Sequence, residues 1–204
     1  MTDQSTGASA HQASQECLNL ILQEAHTHTQ WLPEPVLDEL LIEIYNLAKL
    51  GPTSANSCPM RIVFVKSDEA KARLIPALAP NNVRKSRTAA AVAIFAYDLE
   101  FYEQMPMLYP QADARSWFVG KPDFIQETAF RNATLQAAYF MITARAKGLD
   151  CGPMSGFDQA KVNAEFFPDG KWRSNFVCNL GHGDPAEVRP RNPRLEFDVA
   201  CKIL

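Results

Sequence analysis

The sequence lacks an apolar run long enough to cross a membrane, and it has no excess of basic residues. Its 204 residues include 20 lysines and arginines against 23 aspartates and glutamates, a net charge of −3. A spanning helix needs about 20 apolar residues, and nucleic-acid binding needs clustered positive charge. The N-terminus also lacks the charged-then-apolar pattern of a signal peptide. We expect a soluble, cytoplasmic protein that binds neither membranes nor nucleic acids.

Disulfide and metal patterns are also missing. The five cysteines are odd in number and scattered, and none forms a C-x-x-C pair. This spacing argues against a disulfide framework and a zinc knuckle, so we predict reduced, mostly buried thiols. His26 and His28 are two residues apart, do not share a helix face and have no obvious third partner. We predict no bound metal.

A dinucleotide-binding motif is missing too. No G-x-G-x-x-G follows a strand-like segment, so a Rossmann-type site is not expected. With 47% hydrophobic residues, the chain suits one globular domain, although two small domains also fit its length. Residues 1–15 are small and polar and predict a disordered tail, which leaves a single domain at residues 16–204.

Helical and strand-like patterns alternate irregularly, which indicates an α+β fold. Apolar spacing predicts helices at 16–26, 36–50, 67–79, 125–147 and 159–167. Strand-like runs lie at 61–66, at 90–98, which we expect to be buried on both faces, and from 174 into a loop near 184. The segment 149–158 is predicted as a Gly/Pro turn, and the C-terminal tail at 185–204 is predicted to be extended. The irregular, aromatic-rich stretch 99–124 is typical of a functional loop or lid.

The stretch "GPTSANSCPM", residues 51–60, lies between a helix and a strand. Gly51 and Pro52 form an ordinary helix stop. Thr53, Ser54 and Asn56 are either plain turn formers or short polar groups that hold a ligand.

Four segments, in order, resemble the nitroreductase family of flavin-dependent oxidoreductases. They are "GPTSANSCPMRIVFV", "APNNVRKSRTAAAVAIFAYD", "GLDCGPMSGFD" and "NLGHGDPAEVRPRNPR". The resemblance implies a central, mostly antiparallel sheet flanked by helices. It also implies an intertwined homodimer with an extended C-terminal tail, FMN as cofactor, and ping-pong hydride transfer from NAD(P)H to an acceptor. The reaction then takes place on the flavin, and no side chain is assigned as a catalytic acid or base.

A subgroup resemblance suggests the acceptor. "EFYEQMPMLYPQADARSWF", "ETAFRNATLQAAY" and "GPMSGFD" are similar to malonic semialdehyde reductases of pyrimidine breakdown. This implies reduction of malonic semialdehyde to 3-hydroxypropionate. A general nitro or quinone reductase, a non-catalytic flavin-binding protein and a plain dimeric domain are the alternatives.

The resemblance assigns five residues to the flavin ring. Lys85 matches the lysine near N1–O2, where negative charge develops on reduction. Asn82 matches the asparagine at the pyrimidine edge, or it is only a turn residue in "PNN". Ser155 and Gly156 match the turn whose backbone N–H reaches N5, and Pro153 would set the geometry of that turn.

The resemblance implies that the stretch at residues 51–60, called the opening loop, contacts the flavin of the partner subunit. Thr53, Ser54 and Asn56 would line the edge of that ring. Cys58 stands where many relatives carry glutamine, and no base adjoins it that would make it a nucleophile.

The phosphate site departs from the family pattern. The family usually carries R-x-S-x-R/K where this chain reads "AHTHT", so Ala25 and Thr29 replace both basic residues. The resemblance leaves the phosphate to His26, Thr27, His28 and Arg191, with Arg189 as a looser match.

Three residues of the aromatic loop are candidates for contact with the acceptor. Arg115 could bind a carboxylate, with Trp117 and Phe118 beside it. Alternatively, Arg115 is a loop arginine that pairs with Asp113.

Overall fold

A computed structural model describes residues 12–204 of the chain. The predicted tail at 1–15 therefore lies mostly outside the described residues. Ser14 caps helix α1, Gln15–Leu18, by accepting a hydrogen bond from the Cys17 amide at 3.1 Å. A π-helical turn, Asn19–Gln23, follows. The helix predicted at 16–26 is wrong in its extent: α1 has four residues and passes into the π-helical turn, and neither segment contains a buried residue.

The structure confirms the other four predicted helices and the three predicted strands, with shifted ends. It adds three helices that were not predicted, and one of these, Phe197–Ala200, interrupts the tail that was predicted to be extended. The helices are α2, Asp38–Ala48; α3, Asp68–Leu74; α4, Pro80–Thr88; α5, Met105–Leu108; α6, Pro122–Ala146; α7, Gln159–Phe166; and α8, Phe197–Ala200. The strands are β1, Met60–Val65; β2, Ala91–Asp98; β3, Asp150–Met154; and β4, Trp172–Gly181.

The four strands form one antiparallel sheet in the order β1-β2-β4-β3. Helices α2 and α6 pack on one face of the sheet, and α3 and α7 pack on the other. Because β2 is central and covered on both sides, its apolar run from Ala91 to Ala96 is at most 1% exposed. This confirms the α+β fold and the predicted two-sided burial of that strand.

Strand β3 corrects the prediction of a turn at 149–158. Asp150–Met154 pairs with β4, and Pro153 lies opposite Cys178. Since β3 is an edge strand, the missing N–H of Pro153 can face away from the ladder. The turn is confined to the residues that follow, Ser155 and Gly156.

The long helix α6 anchors the core through one face. Phe140 packs against Phe95 and Phe64, with ring centroids 5.4 and 5.9 Å apart. The opposite face exposes Phe130 and Leu135, at 48% and 42%. The helix therefore serves the core and leaves an apolar outer surface.

The expectation of mostly buried thiols is wrong. All five cysteines are free, but only Cys151 and Cys178 are buried. Within residues 12–204, no helix is long and apolar enough to span a membrane.

Candidate functional site

Helix α4 and the turn after β3 meet at Asn82. The side-chain amide nitrogen of Asn82 donates to the Gly156 carbonyl oxygen at 2.7 Å, and the Ala79 amide donates to the same oxygen at 2.9 Å. Asn82 is 4% exposed and lies in the first turn of α4. The interpretation of Asn82 as a turn residue is therefore wrong. The fold places Asn82 beside the exposed pair Ser155 and Gly156.

Lys85 lies one helical turn after Asn82, on the same face of α4. Burial lowers the pKa of Lys85, and the neighbouring Arg189 guanidinium lowers it further. The indole N–H of Trp31 donates to the Lys85 carbonyl at 2.9 Å, which holds this end of α4 against the segment before α2. Lys85 is thus a partly enclosed cation rather than a freely solvated one.

Arg189, the neighbour of Lys85, is one of the residues lining a polar pocket of about 560 Å³. Both positions that lack the family's basic residues, Ala25 and Thr29, line it. The other lining residues include four arginines and one carboxylate: Leu22, His26, Thr27, Arg145, Glu187, Arg189, Pro190, Arg191, Asn192 and Arg194. A cluster of guanidinium groups of this kind suits a phosphate.

Arg191 reaches this pocket but is already engaged by the backbone. Its Nη2 donates to the carbonyl oxygens of Gln23 and Ala25 at 2.8 and 2.7 Å, with a longer contact of 3.3 Å to that of Leu22. Leu22 and Gln23 end the π-helical turn, and Ala25 lies two residues beyond it, so Arg191 satisfies carbonyls that the turn leaves without a backbone partner. Arg191 therefore stabilises the wall of the pocket in addition to lining it.

Of the three residues predicted to bind the phosphate in the segment 25–29, called the opening segment, two line the pocket and one does not. His26 and Thr27 line the pocket, and Thr27 pairs with Cys151 of β3. His28 is not among the lining residues: its Nε2 lies 3.4 Å from Asp150 Oδ1, and its ring packs so closely on Gly183 that a Cβ there would lie 1.9 Å from Nδ1. The fold thus directs His28 toward Asp150 and away from the pocket.

Sequence reasoning missed Arg145. It comes from the last turn of α6, over a hundred residues after the opening segment, yet it lines the same pocket and donates from Nη1 to the Ile21 carbonyl at 3.1 Å. No local motif marks it. Only the packing of α6 against the π-helical turn brings it there.

The opening loop carries unusual backbone strain. Ala55, Asn56 and Cys58 have φ values of +49°, +52° and +42°, a region that costs non-glycine residues energy. Three contacts hold the loop: the Cys58 amide donates to Thr53 Oγ1 at 3.2 Å, the Ser54 amide to Asn132 Oδ1 at 2.8 Å, and Asn56 Nδ2 to the Leu108 carbonyl at 2.9 Å. Ser54 and Asn56 remain exposed.

The loop bearing Arg115 packs beside the opening loop. Arg115 forms a two-point ion pair with Glu103, with nitrogen–oxygen distances of 2.8 and 2.7 Å. The alternative in which Arg115 pairs with Asp113 is wrong: the Asp113 carboxylate accepts a hydrogen bond from the Ser116 amide at 3.4 Å. Trp117 is 42% exposed, whereas Phe118 is 3% exposed and packs on Phe101. The structure leaves Trp117, and not Phe118, with surface for a ligand.

The predicted site residues therefore fall into two groups. The pocket, α4 and the turn after β3 adjoin one edge of the sheet, while the opening loop precedes β1 at the other edge. Three inter-strand spacings of about 4.8 Å separate those edges by roughly 14 Å. One protomer does not bring the two groups together.

Comparisons with known proteins agree with the fold. The family model for the nitroreductase family matches residues 22–182. A Ralstonia nicotianae protein, provisionally named an NADH dehydrogenase/NAD(P)H nitroreductase, is 54% identical over 92% of this chain and 96% of its own length. A Polynucleobacter asymbioticus protein with the same provisional name is also 54% identical, over 94% of this chain and 97% of its own length.

Solved structures share the fold. A Bacillus subtilis protein described as a nitroreductase superposes with a TM-score of 0.83 at 25% identity, covering 90% of this chain and 97% of that one. An Exiguobacterium sibiricum nitroreductase-like protein, solved with FMN, has a TM-score of 0.82 at 19% identity, covering 95% and 99%. The chain belongs to the nitroreductase family.

Proposed function

We propose that this protein is an FMN-dependent oxidoreductase that moves hydride from NAD(P)H to a small acceptor. One observation carries the proposal: Arg189 of the arginine-lined pocket is near enough to Lys85 to lower its pKa. Lys85 lies one helical turn after Asn82, which is hydrogen-bonded to Gly156. The names of the relatives and the FMN complex of a protein with the same fold support it.

The residues present fit the two ends of FMN. The pocket offers guanidinium donors for the phosphate. One of them, Arg189, lies close enough to Lys85 to repel its charge and lower its pKa. An anion bound between these cations would relieve that repulsion. At the other end, Gly156 permits close packing, because a Cβ there would lie 2.7 Å from Asn82 Nδ2.

When bound, FMN supplies the group that accepts and donates hydride. Lys85 would stabilise negative charge near N1–O2, and the backbone at Ser155 and Gly156 would donate toward N5. Donor and acceptor would use one open ring face in turn, which requires no separate dinucleotide domain.

We further propose a homodimer in which the opening loop serves the flavin of the partner. The two groups of site residues lie at opposite sheet edges, so a second copy would complete each site. Apolar surface is available for it: Phe130 and Leu135 border an open groove of about 590 Å³ on α6. The C-terminal tail adds exposed apolar residues, namely Leu195, Phe197, Val199, Ile203 and Leu204.

The dimer is tested with Leu135→Arg, which places a charge in this groove. We expect monomers by light scattering coupled to size exclusion, with native circular dichroism and loss of retained FMN. A dimer that keeps its flavin would contradict the proposal.

For the acceptor, we propose malonic semialdehyde, whose carboxylate Arg115 could bind. The second candidate is general nitro or quinone reduction. It is favoured by the engagement of Arg115 with Glu103, which leaves the exposed ring of Trp117 as a stacking surface for a neutral aromatic acceptor.

The deciding experiment is the absorption spectrum of the purified protein before and after anaerobic NADPH. A yellow protein that NADPH bleaches supports the enzyme, and one that stays yellow indicates non-catalytic flavin binding. A colourless protein that takes up no added FMN would leave only a structural domain.

Turnover of malonic semialdehyde compared with turnover of nitrofurazone distinguishes the two acceptors. An unchanged KM for the aldehyde in Arg115→Ala would exclude the carboxylate role of Arg115.

A further inference from the structure

Arg145 is an arginine without a carboxylate partner among residues 12–204. Its side chain is partly buried, yet its polar atoms are only partly satisfied. Nη1 donates to the Ile21 carbonyl at 3.1 Å, and Nε is enclosed without an acceptor in the described part of the chain. A partly buried guanidinium that lacks an anionic partner is costly unless an anion binds there.

Two of the other three arginines of the pocket are engaged by backbone carbonyls, and the third, Arg189, is exposed. Arg191 donates from Nη2 to the carbonyls of Gln23 and Ala25. Arg194 donates from Nη1 to the carbonyls of Asn192 and Pro193. The one carboxylate of the lining, Glu187, forms no ion pair within 4.0 Å among the residues described. Arg145 Nη2 has no acceptor within residues 12–204 and is not among the enclosed atoms. It remains a free donor.

The position of Arg145 matches the gap in the family pattern. Ala25 and Thr29, where the usual basic residues are missing, line the same pocket. Arg145 reaches it from α6, on the wall formed by the π-helical turn. A cation delivered from the core helix can therefore compensate for two cations absent from the opening segment.

We infer that Arg145 binds the phosphate of FMN and replaces the basic residues missing at Ala25 and Thr29. This inference rests on the proposed FMN cofactor and goes beyond it, because it assigns the phosphate contact to a residue outside every family motif. A guanidinium–phosphate contact is charge-assisted and directional, so its loss should weaken FMN and spare flavins without phosphate.

The test compares FMN with riboflavin, which lacks the phosphate, on full-length flavin-free protein by quenching of flavin fluorescence. Arg145→Met should raise the Kd for FMN about 10- to 100-fold and change the Kd for riboflavin less than about three-fold. The matched control is Arg73→Met on α3, which removes an exposed arginine paired with Glu165 and should leave both constants unchanged.

A second variant, which restores a positive charge to the pocket, tests whether Arg145 contacts the phosphate or only supports the fold. Adding Ala25→Arg to Arg145→Met should recover most of the FMN affinity, since the family's usual basic position lines the same pocket. Arg145→Lys, which keeps the charge, should lose less FMN affinity than Arg145→Met. Equal weakening of FMN and riboflavin, or no recovery with Ala25→Arg, would show that Arg145 only supports the fold.

The remaining outcomes are also distinct. Wild-type protein that binds FMN, combined with an Arg145→Met variant of equal FMN affinity, overturns this inference and leaves the proposed function standing. Wild-type protein that binds neither flavin overturns both.

Discussion

The side-chain amide of Asn82 donates to the carbonyl oxygen of Gly156 at 2.7 Å. This bond joins the first turn of α4 to the turn after β3, two segments that are 74 residues apart. The approach is so close that a Cβ on Gly156 would lie 2.7 Å from the Asn82 nitrogen. The two residues therefore set the geometry of the candidate flavin edge as a unit.

This contact predicts non-additive substitutions. Gly156→Ala should lower the free energy of unfolding by about 1–3 kcal/mol, because the new methyl group is overpacked. Asn82→Ala should cost about 1–2 kcal/mol, because it removes a buried hydrogen bond. In the double variant, the clash with Asn82 is gone, so the total loss should fall short of the sum by about 1 kcal/mol. Urea unfolding of all four proteins checks this, and additivity within about 0.5 kcal/mol would contradict it.

The strain at Ala55 predicts an unusual response to glycine. Ala→Gly in an exposed helix costs about 1 kcal/mol, and Ala72 of α3 provides that control. At Ala55 the φ of +49° favours glycine, which offsets its greater unfolded-state entropy. We expect Ala55→Gly to keep the free energy of unfolding within about 0.5 kcal/mol of wild type, or to raise it. A loss as large as that of Ala72→Gly would show that the loop is not strained at this residue.

The sequence predicted the helices and strands whose apolar residues form a continuous local pattern. The apolar run of β2 and the periodicity of α6 identify these elements because their side chains meet the core in a regular order. Strand β3 was missed because Pro153 looks like a turn residue until its edge position is known. The contribution of Arg145 to the pocket and the pairing of Arg115 with Glu103 depend on distant packing or on a loop conformation. No spacing rule encodes either one.

The proximity of Arg189 to Lys85 predicts a measurable change in pKa. Burial and the charge of Arg189 both lower the pKa of Lys85. Arg189→Gln removes the second cause, so the pKa of Lys85 should rise toward the ordinary lysine value in flavin-free protein. Titration of the lysine ε-carbon by NMR measures it, and the signal lost in Lys85→Arg gives the assignment. Arg194→Gln, from the same tail, should leave this pKa unchanged, and an equal shift in both variants would contradict a specific effect of Arg189.

The same shift gives the sign of a pH effect on stability. Because the pKa of Lys85 is lower in the folded than in the unfolded protein, its charged form costs stability at neutral pH. That cost is relieved as the pH rises from the folded pKa to the ordinary lysine value. Lys85→Gln removes this contribution. Relative to wild type, its advantage in free energy of unfolding should therefore shrink over that alkaline window, and urea unfolding across the window measures it.

The ion pair between Glu103 and Arg115 predicts how acceptors compete. An anionic acceptor must compete with Glu103 for Arg115. The hydrogen bonds that Arg115 donates lower the pKa of the Glu103 carboxyl, so Glu103 stays charged at neutral pH. Glu103→Gln weakens this hold without removing the loop. If Arg115 binds the acceptor carboxylate, the KM for malonic semialdehyde should fall several-fold.

The neutral acceptor nitrofurazone is the control for that variant, because it has no carboxylate to compete with Glu103. Its KM should stay unchanged in Glu103→Gln, while Arg115→Ala should raise only the KM for the aldehyde. Parallel changes for both acceptors would mean that the ion pair only shapes the loop. In that event, the exposed ring of Trp117 would be the better candidate for acceptor contact.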